Sequence, residues 1–371
     1  MSADKNLEIF LVTAPGLEDL LRAEAVEKGF RKPVSELGGV TVRGNWLDAW
    51  RANLEIRGAS KVLVRIGAFR VQHLSQLDKR ARAFPWGEIL RPDIAVRVDV
   101  TCKNSRIYHS GAAIERIAKA IQDELGAPIS SDAEVSIKAR IVNNMCTISI
   151  DTSGDMLHKR GHKEAVSKAP MRENLAALML RQCGYKGKEP VVDPMCGSGT
   201  FVIEAAEIAA RLHPGRTRGF AFEQLANFDG EAWQDLRERG NTFTPELRFY
   251  GSDQDAGAIR MSHANAERAG VSELTEFQQQ CISDLVAPNG PAGLVIVNPP
   301  YGARIGNMKQ LNTLYRSLGQ RLKEQFVGWR VGLVTSEDSL AKKTGLAFVH
   351  ESQPIDHGGL RVKVYSTEPL S

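Results

Sequence analysis

Pro190-Val191-Val192-Asp193-Pro194-Met195-Cys196-Gly197-Ser198-Gly199-Thr200, running into Phe201-Val202-Ile203-Glu204, is the stretch whose reading decides the fold. A short apolar strand ends on an acid, a turn with two glycines follows, and a helix opens directly after it. Such a turn lets backbone N–H groups approach a ligand at the positive end of a helix. The dinucleotide fingerprint is met only in part, because Val202 stands where its third glycine would be and the carboxylate of Asp193 would repel a pyrophosphate. A zwitterion suits the stretch better. In S-adenosylmethionine the amino group has a partner in Asp193, and the carboxylate has partners in the N–H groups from Gly197 to Thr200. Asp193, Met195, Gly197, Gly199 and Thr200 are therefore candidate cofactor residues; the plainer reading is a structural turn.

Outward from this turn, strand and helix patterns alternate, with strands at 247–253, 276–280, 293–297 and 330–335 and helices at 200–212, 256–269 and 309–326. Alternation on this scale predicts an α/β fold with a doubly wound parallel sheet. The last strands, at 347–349 and 361–365, have only a loop containing Gly358 and Gly359 between them, which predicts an antiparallel pair at the sheet's edge. Asp253 ends the second strand, where an acid can take both hydroxyls of a ribose, with Gln254 beside it. It lies far beyond the roughly 20 residues expected of a plain nucleotide fold, so the segment 211–246 must be an excursion before the sheet resumes. Asp284, after the third strand, is placed to accept from an adenine amino group; a surface acid fits the pattern nearly as well.

The run Asn298-Pro299-Pro300-Tyr301 follows the apolar strand at 293–297. The Asn298 carboxamide oxygen and the Pro299 carbonyl can each accept a hydrogen bond from an exocyclic amino group, the prolines keep both acceptors aimed, and Tyr301 can stack on the ring. These four are the candidate catalytic residues. Methyl transfer from a sulfonium is an in-line displacement, so positioning supplies most of the acceleration and no strong base is required. The residues alone leave the acceptor open. Guanine N2, adenine N6 of RNA or DNA, and a protein glutamine all offer a planar amino group, and an RNA-binding assembly factor without turnover would keep the same fold.

Upstream, residues 1 to 150 hold 22 Lys+Arg against 18 Asp+Glu, whereas 151 to 371 hold 26 against 26. Between Arg57 and Arg106 there are 11 basic and 4 acidic side chains, a local excess that suits a polyanion. Lys103, Arg106 and His109 precede a helix expected from Gly111 and could line a phosphate-binding face. Lys159, Arg160 and Lys163 lie in a segment of turn chemistry at 151–169 read as the inter-domain link, followed by a helix from Pro170 to Leu180. All six are candidate RNA contacts. The five cysteines are widely spaced, with no C-x-x-C pair and no His at ligand spacing, which implies reduced thiols and no metal. No apolar run is long enough to span a bilayer and no export signal opens the chain, so a cytoplasmic protein without a membrane partner is expected.

Several of these stretches together resemble the THUMP-containing class I RNA methyltransferases, including those that act on guanine N2 of bacterial large-subunit ribosomal RNA. The resemblance is carried by Thr13-Ala14-Pro15-Gly16-Leu17-Glu18, Lys103-Asn104-Ser105-Arg106-Ile107-Tyr108-His109-Ser110-Gly111, Leu157 to His162, Ala169 to Ala176, Asp193 to Thr200, Gly251 to Asp255 and Asn298 to Gly302. It implies a ferredoxin-like region at 1–60, a THUMP RNA-binding domain at 61–155 and a Rossmann-like S-adenosylmethionine-dependent domain at 156–371. The partner it implies is RNA, ribosomal or in a pre-ribosomal particle. Two departures stand out. Relatives often carry a second methyltransferase domain, which is not expected in a chain stopping at Ser371, and they tend to have an acid just after the Asn-Pro-Pro-Tyr-Gly run, where Ala303 and Arg304 stand here.

Overall fold

The structure, a computed structural model, describes residues 6–164, 171–240, 242–301 and 308–371. These divide by packing into two compact units, one within 6–13, 21–157 and 218–239, the other within 14–20, 158–217 and 240–371. The expectations for Pro170, Gly302, Ala303 and Arg304 fall outside the described residues.

The N-terminal stretch runs β1 (Leu7–Val12), α1 (Glu18–Glu27), β2 (Arg31–Glu36), β3 (Gly39–Gly44), α2 (Trp46–Glu55), β4 (Lys61–Arg70), α3 (Leu74–Arg82), β5 (Val96–Lys103), α4 (Ser110–Leu125), β6 (Val135–Val142) and β7 (Met145–Asp151). The strands form one sheet in the order β2-β3-β1-β4-β7-β6-β5. Lys61 starts β4, which is antiparallel to β1 on one side and to β7 on the other. Strands from either side of the expected 60/61 boundary thus share one sheet. Local chemistry sets the joints: Asn45 and Asp48 exchange side-chain and backbone hydrogen bonds at 3.0 Å, closing a capping box at the start of α2. Asn143 and Asn144 sit at φ 50° and 61°, the left-handed pair that a two-residue hairpin between β6 and β7 needs.

The second stretch runs α5 (Glu173–Gln182), β8 (Val191–Asp193), α6 (Thr200–Ala209), α7 (Gly230–Glu238), β9 (Phe249–Asp253), α8 (Ala256–Arg268), β10 (Thr275–Gln279), β11 (Leu294–Val297), α9 (Met308–Gln325), β12 (Arg330–Thr335), α10 (Asp338–Lys343), β13 (Phe348–Glu351), β14 (Ile355–His357) and β15 (Leu360–Thr367). Its sheet has the order β10-β9-β8-β11-β12-β15-β13, with β14 paired to β15. The strands from β10 to β12 are parallel, and β15 runs antiparallel to β12, β13 and β14. This is the doubly wound sheet with a reversed C-terminal hairpin that the pattern predicts. Leu311, Tyr315, Leu318 and Leu322 recur on one face of α9 and bury against Val295, Val297, Val331 and Leu333. Each such leucine contributes roughly 1.5–3 kcal/mol.

The excursion expected between α6 and β9 exists, and its packing is the surprise. Residues 218–239, including α7, belong to the first unit. Phe222 stacks on Trp50 of α2 with centroids 5.4 Å apart, and Trp233 of α7 meets Phe222 edge-on at 5.0 Å. Besides α7, the elements β2, α10 and β14 have no counterpart in the sequence reading. Among the described residues no helix is long and apolar enough to cross a membrane.

Candidate active site

The parallel register places the C-terminal ends of β8, β9, β10 and β11 along one edge of the second sheet, with Asp193 opposite Gly251 and Val295 opposite Val192. Open α/β sheets bind ligands at that edge. A cavity of about 680 Å³ lies there, and Asp193, Met195, Gly197, Thr200, Asp253, Gln254 and the whole run Asn298 to Tyr301 line it. Four strand ends, from Asp193 of β8 to Val297 of β11, meet along one space.

The glycine turn is fixed from several sides. Gly197 and Gly199 take φ 54° and 80°, values that a side chain resists, and a Cβ on Gly199 would press on Phe277 and Ser262 at 3.1 Å. The Gly197 N–H donates to Asp253 Oδ2 at 3.0 Å, and the Cys196 N–H donates to the Ser252 carbonyl at 2.9 Å. Ser262 and Asn265 of α8, both fully buried, donate to the carbonyls of Gly197 and Ser198. Gly199 caps α6 and shapes the turn without lining the cavity.

The two acids at the strand ends differ. Asp253 is held by the N–H groups of Gly197 and Asp255, each at 3.0 Å. Asp193 is only 2% exposed and accepts a hydrogen bond from the Met195 N–H at 3.1 Å. Burial pushes its carboxyl up to about 8, the Met195 N–H opposes the rise and the charge of Asp253 adds to it. A buried carboxylate with one neutral donor is stabilised by a cation, so the residue fits the ammonium end of a zwitterionic nucleoside cofactor.

At the end of β11, the Asn298 Oδ1 is a buried acceptor with no hydrogen-bond partner among the described residues. Tyr315, fully buried on α9, donates to the Pro300 carbonyl at 3.3 Å and lies 3.2 Å from the hydroxyl of Thr335. That contact occupies the second proline's carbonyl and leaves the Pro299 carbonyl as the acceptor beside Asn298. Tyr301 packs against the core cluster around α9 and also lines the cavity, and burial raises its phenol to about 12. It is a neutral stacking surface.

Three candidates need correction. Asp284 is exposed, with its carboxylate beside Ser283 Oγ at 3.2 Å, while Cys281, Ile282 and Ser283 line the cavity. The single helical turn Ile282–Asp284 leaves the acid off the cavity wall. Arg160 is 1% exposed and ion-paired with Glu204 and Glu207 of α6, so it cannot reach an RNA phosphate. Lys163 is largely buried, donating to the Met171 carbonyl at 2.6 Å and Thr200 Oγ1 at 2.9 Å and facing Glu173 at 3.6 Å. It ties the segment after Arg160 to the starts of α5 and α6. Lys159 is exposed, as are Lys103, Arg106 and His109 on the first unit. There Arg106 bonds Gln72 at 3.0 Å, and the 76%-exposed ring of Tyr108 lies 4.7 Å from that of His109. Sequence reasoning missed Ser262, Asn265, Tyr315 and His357; a polar residue on an apolar helix face was the signal available for the first three.

Comparison with known proteins agrees with this geometry. Residues 160–359 match the family described as RMKL-like, methyltransferase domain; residues 8–63 match the RlmL ferredoxin-like domain and 71–151 the THUMP domain. The ribosomal RNA large subunit methyltransferase K/L of Psychromonas ingrahamii is 34% identical over 355 residues, covering 92% of this chain and 47% of that protein. The chain thus spans about half the length of that relative. A Synechocystis protein provisionally named an RNA methyltransferase is 31% identical, covering 95% of this chain and 94% of its own. The crystal structure of SMU.472, provisionally a methyltransferase and complexed with SAH, superposes with a TM-score of 0.89 over 99% of each chain at 26% identity. With a class I methyltransferase sheet, a glycine turn and an Asn-Pro-Pro-Tyr run on one cavity, and more than half its length matched, the chain belongs to the RMKL-like methyltransferase family.

Proposed function

We propose that the chain is an S-adenosylmethionine-dependent RNA methyltransferase that modifies the N2 amino group of a guanine in large-subunit ribosomal RNA. The single observation that carries this reading is the partnerless Asn298 Oδ1 on the same cavity as Asp193 and the glycine turn. An acceptor left unsatisfied costs about 1–3 kcal/mol, which a donor on the substrate recovers.

Asp193 would hold the cofactor's ammonium and Asp253 its ribose hydroxyls; with the Gly197 and Gly199 N–H groups given to Asp253 and to the Cys196 carbonyl, the Ser198 and Thr200 N–H groups of the turn would meet its carboxylate. When bound, the sulfonium supplies an electrophilic methyl group. Asn298 and the Pro299 carbonyl accept from the exocyclic amino group, which turns the nitrogen lone pair out of conjugation with the ring and toward that methyl. Tyr301 stacks on the extruded base, worth on the order of 1–3 kcal/mol. The nitrogen becomes acidic once alkylated, and its proton leaves to Asn298, the Pro299 carbonyl or water. A base paired in a duplex hides its amino group, so an unpaired or flipped nucleotide is the substrate.

A nucleoside profile by mass spectrometry of ribosomal RNA from a deletion strain tests this. Loss of N2-methylguanosine at one site, restored by the wild-type chain and not by Asn298→Ala, is expected. Unchanged N2-methylguanosine with loss of N6-methyladenosine would move the assignment to adenine.

A further inference from the structure

Lys163 has the residue type of an RNA contact without the exposure of one. Its side chain is 10% exposed, and its ammonium donates to the Met171 carbonyl at 2.6 Å and to Thr200 Oγ1 at 2.9 Å while facing the Glu173 carboxylate at 3.6 Å. Met171 and Thr200 both line the cavity that holds Asp193 and Asn298, whereas Lys163 does not. The lysine therefore stands behind the cavity wall and acts on the cavity only through the groups it holds.

The contact with Thr200 is chemically one-sided. An ammonium has three donors and no acceptor, so the Thr200 hydroxyl accepts from Lys163 and its own proton needs another partner. Among the described residues no acceptor meets that proton, and Thr200 is only 8% exposed. A buried hydroxyl proton left unmatched is a cost that an anion in the cavity removes. Thr200 is also the first residue of α6, and the capping position before it is Gly199, which brings no side-chain oxygen to the first turn. The positive end of the helix, with the Thr200 hydroxyl beside it, is thus left for a ligand of negative charge.

We infer that Lys163 is a positioning residue for the cofactor's carboxylate. It fixes the Thr200 hydroxyl as its own acceptor, turns the hydroxyl proton into the cavity, and so makes Thr200 a side-chain donor to the carboxylate alongside the Ser198 and Thr200 N–H groups. The inference rests on the cofactor placement proposed above. It gives a cation from the segment before α5 a part in cofactor binding and takes it off the RNA surface.

The test uses the full chain and two probes in equilibrium titrations: SAH, and a decarboxylated SAH that keeps the ammonium and lacks the carboxylate. The wild type should favour SAH. Thr200→Val, which removes the hydroxyl, and Lys163→Met, which keeps the stem and removes the charge, should each weaken SAH roughly tenfold and leave the decarboxylated probe near its wild-type affinity. Thr200→Ser should bind SAH as the wild type does. The double variant K163M/T200V should lose no more than either single change, because the lysine acts through the hydroxyl. Since Lys163→Met leaves Glu173 buried without its cation, K163M/E173Q is measured beside it and should show the same selective loss. Equal weakening of both probes in the lysine variants would make Lys163 a structural tie only and overturn the inference. An unchanged preference for SAH in those variants would overturn it too, with the cofactor placement left standing. A wild type that bound both probes equally would remove the carboxylate from the turn, and the role of Lys163 with it.

Discussion

Two basic stretches look alike in the sequence and end in opposite surroundings. Lys103, Arg106 and His109 stay exposed on the first unit between β5 and α4, beside the exposed ring of Tyr108. In the second unit Arg160 is sealed against Glu204 and Glu207, Lys163 is drawn to Thr200 and the Met171 carbonyl, and Lys159 stays exposed. The difference lies in where the counter-charge comes from. Two buried glutamates on α6 need cations, and the linker provides one of them, with Arg216 meeting Glu207 at 2.6 Å as the other. A run of basic residues is therefore an RNA surface only where the protein has not already used its charge.

The largest effect that would break this contrast comes from Arg160→Ala. Removing one partner of a buried ion network leaves the carboxylates uncompensated, so the chain should lose about 3–5 kcal/mol in a urea melt. A loss within the range of an ordinary surface substitution, with RNA affinity falling instead, would return Arg160 to the RNA surface. Next in size, Asn298→Ala should lower methyl transfer by about 100- to 1000-fold, a magnitude typical of losing one preorganised polar contact at the reacting centre. Its affinities for SAH and RNA should stay at wild-type values in equilibrium titrations.

Asp193 sharpens the comparison through pH. Its carboxyl is raised to about 8 from an ordinary value near 3.8, so the folded cofactor-free chain holds a proton that the unfolded chain has released across that window. The stabilising contribution is complete below the unfolded value and is lost as pH rises toward 8. Thermal melts of the cofactor-free wild type should show this decline, and Asp193→Asn should flatten it. A cofactor ammonium favours the ionised carboxylate, so SAH affinity should climb from pH 6 to about 8 and level off; a flat wild-type profile would separate Asp193 from the ammonium.

The smallest effect belongs to the first unit. Lys103→Ala/Arg106→Ala should weaken RNA binding several-fold and lower the single-strand salt slope by about 1.4, with stability unchanged. An unaltered slope would show that this exposed patch, despite its charge, is not an RNA contact.

Much of the second sheet was legible because its strands are short apolar runs bounded by turn residues; Arg330–Thr335 was read to the residue. The Asp193 to Thr200 turn and Asn298 to Tyr301 were legible for a related reason. Glycine, proline and asparagine there carry backbone and hydrogen-bonding constraints that act within a few residues. Asp284 failed because one helical turn decides which way its side chain faces; α7 carried a local signal that was passed over, Asp229 capping a start followed by Trp233 and Leu236 on one face, and only the fold shows that Trp233 is covered by Phe222.

By itself the sequence determined the alternation of strands and helices, the left-handed glycines of the cofactor turn, and the stiff acceptors after β11, all of which follow from local sterics and periodicity. Only the tertiary structure decided that residues 218–239 leave the catalytic unit's packing for that of the first, that Tyr315 claims the Pro300 carbonyl, that Arg160 is buried while Lys159 is not, and that His357 lines the cavity. Those outcomes depend on burial and on partners tens to hundreds of residues away, and the energy of a charge or a hydrogen bond is set by what surrounds it once the chain has folded.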